Sequence, residues 1–141
     1  MQPQMNMSKY YDKAVALRAI VTPHYNCAQA VVIPFAKEAG ISEETAYKLA
    51  ANFGAGMKRA GTCGSIAAGL MVLGLFGVDD PATIADYHNR LREAHDGYLD
   101  CANLLRINKE QGKEKKPHCD AMVYECVNLV TEILTEKEKL S

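Results

Sequence analysis

Cys27 and Cys63 each stand where the sequence predicts the start of a helix, a setting in which a thiol can do chemistry. The first lies in Tyr25-Asn26-Cys27-Ala28-Gln29. Asn26 is a good N-cap, and Gln29 three residues later completes a capping box. The second lies in Gly61-Thr62-Cys63-Gly64-Ser65, with Thr62 as the expected cap before a long apolar run. A first helical turn offers unpaired N–H groups and the positive end of the helix dipole. That field favours thiolate, the form that attacks disulfides and binds metals. The competing reading is that cysteine serves as a small, well-buried hydrophobe. Cys101, Cys119 and Cys126 complete the set. None of the five sits in a CxxC or CxxCH, so zinc-ribbon, thioredoxin and covalent-haem signatures are absent.

The elements that must position these thiols read as helices joined by short loops, with no sustained period-two alternation. The first helix is expected over about 8–21, with Tyr10, Ala14, Leu17 and Val21 on one face. The second starts at Asn26, is kinked near Ala30 to Val31 by Pro34, and ends at Gly40. A third runs from Ser42 to near Gly54, and a glycine-containing connection over 53–61 leads to the Cys63 helix, ending near Gly77. The fifth starts at Asp80-Pro81 and continues through Leu105, with Cys101 on its apolar stripe. After a charged loop over 108–116, a sixth runs from about Pro117 to Lys139, with Cys119 and Cys126 both facing inward. The expectation is an all-α, single-domain bundle of about six helices, with residues 1–7 flexible. Its interior is where cysteines from several helices can converge.

The chain has 141 residues, 48% of them apolar, enough for one domain with a real core. A net charge of −1 gives no footprint for nucleic acid or an anionic membrane, and both are set aside as partners. The first residues show no basic segment followed by an apolar core, so a cytoplasmic location is expected. In that compartment structural disulfides are disfavoured, and an odd cysteine count cannot pair fully within one chain. The stretch from Ala60 to Val78 is uncharged, but its glycines and its short apolar part fit a buried helix better than a membrane span.

Other motifs are weaker. Gly56-Met57-Lys58-Arg59-Ala60-Gly61 has Walker spacing, but Thr62-Cys63 follows where Lys-Ser/Thr is required. Lys58 and Arg59 can assist a nearby thiolate or anion; as a run, they read first as solvated. Of four histidines, His24 is the functional candidate, three residues before Cys27 as a proton partner or ligand. The carboxylates show no pair placed for acid–base work.

Taken in order, these segments resemble a family of small redox-active proteins named for its C…GCAxxG…C…C pattern. The matching segments are Cys27-Ala28-Gln29-Ala30-Val31, Phe53-Gly54-Ala55-Gly56-Met57, the run from Cys63 to Gly74, and Cys101-Ala102-Asn103-Leu104-Leu105. A cysteine opening the last helix completes them. Ser65 stands where the family usually has Ala, and Ala68 where it has Gly. The resemblance implies a redox role for four cysteines, Cys27, Cys63, Cys101 and Cys119, with Cys119 preferred to Cys126 as the fourth. In a thiol form, Cys27 or Cys63 attacks and Cys101 or Cys119 resolves. In a metal form, the same four ligate zinc or an iron–sulfur cluster, with Gly64 and His24 as further cofactor-contacting positions. A redox partner is implied without being identified. The alternative is a small helical interaction protein, with inert buried cysteines and a homodimer interface on its glycine-studded fourth helix and the apolar stripes of the fifth and sixth.

Overall fold

The computed structural model describes residues 8–140; the N-terminal segment expected to be flexible lies outside them. The described chain is all helical, and its only strand-like pairing is one isolated antiparallel bridge, Thr62 with Asp100. Eight α-helices follow in order: α1 (Lys9–Ala19), α2 (Cys27–Val32), α3 (Ala36–Ala39), α4 (Glu43–Leu49), α5 (Gly64–Leu75), α6 (Pro81–Ala94), α7 (Cys101–Glu110) and α8 (Lys115–Glu136).

The apolar α5 lies at the centre because its residues leave it no polar face. Ile66, Ala68, Val72 and Leu73 are fully buried. It packs against both α2 and α8, which also meet each other, and α1 packs against α8. Helix α8 presents Val123, Val127, Val130, Ile133 and Leu134 to this core. Gly69 allows the closest approach: a Cβ there would collide with the Tyr87 hydroxyl. Among the described residues no helix is long and apolar enough to cross a membrane.

Three expected elements are corrected. The expected second helix is interrupted at Pro34, a little later than anticipated: a 3-10 turn over Ile33–Phe35 separates α2 from α3. The third is shorter than expected, ending at Leu49. The largest change is in the fifth, where the single helix through Leu105 is two. Asp96 and Gly97 adopt left-handed backbone (φ 55 and 87), which ends α6 and turns the chain before α7. Cys101 therefore opens a helix instead of lying within one.

Candidate functional site

Cys27 is fixed at the first position of α2 by the capping box read from the sequence. Gln29 N–H donates to Asn26 Oδ1 at 2.7 Å, and Asn26 N–H donates to Gln29 Oε1 at 2.8 Å. The same side chains reach across to the end of α4. Asn26 Nδ2 donates to the Ala51 carbonyl (3.1 Å), and Gln29 Nε2 to that of Tyr47 (2.9 Å). Gly54 makes room for this, since a Cβ there would come within 2.7 Å of Asn26 Cβ.

Cys63 occupies the N-cap position of α5, one residue later than expected, because Thr62 is engaged in the bridge with Asp100. Cys63 N–H donates to the Leu99 carbonyl (2.9 Å), and Cys101 N–H donates to the Gly61 carbonyl (2.6 Å). This two-bond clasp brings the starts of α5 and α7 side by side. A tight turn over Gly56–Ala60 leads into it, with Ala55, Gly56, Met57, Lys58 and Ala60 all at positive φ. Glycine is required at 56, where a Cβ would lie 2.5 Å from the Gly61 carbonyl oxygen and 2.9 Å from Cys101 Cβ. Gly64 leaves room for Cys27: a Cβ there would lie 2.7 Å from Cys27 Sγ and collide with the Phe53 carbonyl.

Cys27, Cys63, Cys101 and Cys119 all line one cavity of about 1020 Å³. Cys27, Cys101 and Cys119 are half-buried and Cys63 is buried. His24 also lines it, from an exposed position. Cys126 is not among the lining residues; it is fully buried against Tyr87, whose hydroxyl donates to the Ile66 carbonyl (2.8 Å).

The expectation that the helix start lowers the Cys63 pKa is overturned. Burial and then the charge of Cys27 push it up to about 12, outweighing the N–H groups of Ile66 and Ser65 that favour its thiolate. Burial and Cys27 also raise Cys101 and Cys119, in both cases against the pull of Lys115. Cys27 is thus the common electrostatic neighbour of the other three.

Arg18 and Asp120 were not singled out by sequence, since nothing local marks a pair so far apart in the chain. Arg18 Nε donates to Asp120 Oδ1 at 2.7 Å, and its Nη1 to the Tyr25 carbonyl at 2.9 Å, beside the start of α2. Lys116 also pairs with Asp120 (3.1 Å). Asp120 is the one carboxylate lining a cavity that Arg18, Lys58, Lys115 and Lys116 also line. The Ser65 hydroxyl is buried there with no hydrogen-bond partner among the described residues. All five cysteines are free thiols. Among the described residues no three His, Cys, Asp or Glu side chains are grouped as a metal site.

No curated protein and no solved structure matched the chain. A family model described as "Putative redox-active protein (C_GCAxxG_C_C)" matches residues 25–133, which contain all five cysteines. The chain belongs to this C_GCAxxG_C_C family.

Proposed function

We propose that the protein is a thiol–disulfide redox protein in which Cys27 exchanges and Cys63 resolves. The observation that carries this reading is the contact between Cys27 and the start of α5, where the Gly64 backbone leaves room for Cys27 Sγ and nothing larger than glycine fits. Cys27 is half-buried on the cavity and accessible to a substrate. Its thiolate attacks a substrate disulfide, forming a mixed disulfide and releasing one thiolate.

Cys63 starts as a protonated thiol, since its pKa stands at about 12. Once Cys27 is bound in the mixed disulfide it carries no charge, and one of the two main forces raising Cys63 is gone. The Ser65 and Ile66 N–H groups, which stabilise the Cys63 thiolate, then work against burial with the Cys27 charge removed. It attacks Cys27 Sγ, closes the Cys27–Cys63 disulfide and releases the second substrate thiolate. Two protons from the two cysteines finish on the two leaving thiolates, and two electrons pass to the substrate.

A second reading is favoured by the number of thiols, since exchange needs two and the cavity gathers four. In it, Cys27, Cys63, Cys101 and Cys119 ligate zinc or an iron–sulfur cluster, which requires them to close inward on the metal. Anaerobic purification with metal analysis, a visible spectrum and a thiol count separates the two. Metal-free protein with fast-reacting thiols supports exchange. Stoichiometric zinc or iron with protected thiols overturns exchange in favour of the four-ligand site.

A further inference from the structure

We propose that the cavity is a binding site for a small anionic organic disulfide, which oxidises Cys27 and its partner thiol. This rests on the exchange reading above and specifies its substrate class. Volume is the first argument. A cysteine pair needs no void to form a disulfide, and a metal ion with its sulfurs fills only a small part of 1020 Å³. Pockets of about 300–1,000 Å³ hold organic molecules of drug size. The walls suit such a molecule, with Val15, Leu104, Leu105 and Met122 offering apolar surface beside the thiols.

Charge is the second argument. The chain as a whole is nearly neutral at −1, yet the cavity gathers four cationic side chains around one carboxylate. That carboxylate, Asp120, is already bonded by Arg18 and Lys116. Lys58 and Lys115 also line the cavity, and neither has an ion-pair partner among the described residues. The unpartnered Ser65 hydroxyl adds a buried donor next to Cys63. A ligand carrying carboxylates matches both lysines and delivers its sulfurs to Cys27.

The reaction balances as two cysteine thiols plus one small disulfide giving one protein disulfide plus two small thiols. Return to the dithiol requires a two-electron reductant of the dithiol class, so the test is made in a single turnover. Reduced full-length protein is mixed anaerobically at low salt with oxidised glutathione, which is anionic, with cystamine, which is cationic, and with neutral 2-hydroxyethyl disulfide. Thiol loss is followed by rapid quench. Oxidised glutathione should react about tenfold or more faster than cystamine, and the ratio should shrink as salt is added. A Lys58→Glu, Lys115→Glu variant should lose or invert the preference; both side chains are exposed, and circular dichroism checks the fold. If the salt response of the native protein shows no charge preference while the neutral disulfide still oxidises the thiols, exchange stands and the anionic site is wrong. If cystamine reacts as fast as oxidised glutathione, the anionic site is wrong. If none of the three oxidises the thiols, both readings fall.

Discussion

Cys63 and Cys101 sit diagonally across a single antiparallel bridge, each one residue past a bridge partner and each fixed by its own backbone N–H. Cys63 N–H donates to the Leu99 carbonyl and Cys101 N–H to the Gly61 carbonyl, on either side of the Thr62–Asp100 pair. Side-chain substitution at either cysteine leaves both bonds in place. Cys63→Ser and Cys101→Ser should therefore fold, with stability changes within about 1 kcal/mol for half-buried Cys101 and somewhat more for buried Cys63. Denaturant titration of the two variants checks this, and unfolding of Cys101→Ser would show that the thiol itself holds the clasp.

Gly64 and Gly56 are where a single methyl group should be felt at the site. In Gly64→Ala the new Cβ meets Cys27 Sγ and the Phe53 carbonyl; in Gly56→Ala it meets the Gly61 backbone and Cys101 Cβ. Each should cost about 1–3 kcal/mol by overpacking, and Gly56→Ala also carries strain at φ +63. By contrast, Gly74→Ala meets nothing within 4 Å and should be neutral or slightly stabilising in its helix. Melting temperatures of the three variants, read with the rate of Cys27 alkylation, distinguish a moved thiol from a loosened fold.

Cys63 makes stability depend on alkaline pH. Its folded pKa of about 12 exceeds the ordinary 9.0, so above pH 9 the unfolded chain loses a proton that the folded chain keeps. The sign follows: this contribution is whole below pH 9 and is lost as pH climbs toward 12. The unfolding midpoint should fall across that window, and Cys63→Ala should flatten the fall relative to its own value at pH 8. An unchanged slope in the variant would place the effect in other groups.

His95 acts in the opposite part of the scale. Its ring lies 2.8 Å from Glu125, which raises its pKa above 6.5 against the effect of burial. The stabilisation is complete below pH 6.5 and declines as pH passes the raised folded value. This pair joins the end of α6 to α8, just ahead of the turn that leads to Cys101. Glu125→Gln should remove most of that dependence and cost about 1 kcal/mol at pH 6. Thermal melts at pH 6 and pH 8 provide the comparison.

Much of the site was legible because capping is local. Asn26 and Gln29 announce the start of α2 within four residues, and the structure forms that capping box. The all-helical class followed from periodicity in the same way. What was missed depends on competition or distance. Asp96-Gly97 broke a helix whose apolar spacing runs through it, because left-handed backbone at two successive residues outweighs a continuous stripe. Thr62 lost the cap position to Cys63 through pairing with Asp100, a residue far along the chain. Arg18 and Asp120 meet across the bundle, and only tertiary structure relates them. The same burial that brings Cys63 to the site also reverses the pKa shift expected from its helix start.

The most direct test of the account is to map the first disulfide formed. Reduced protein treated with a substoichiometric disulfide oxidant, quenched with acid and digested, should yield Cys27–Cys63 as the first intramolecular link by mass spectrometry. Cys27→Ser should not form it and should leave Cys63 reduced over the same period. A first link that excludes Cys27, or equal oxidation of the buried Cys126, would contradict the assignment of Cys27 as the exchanging thiol.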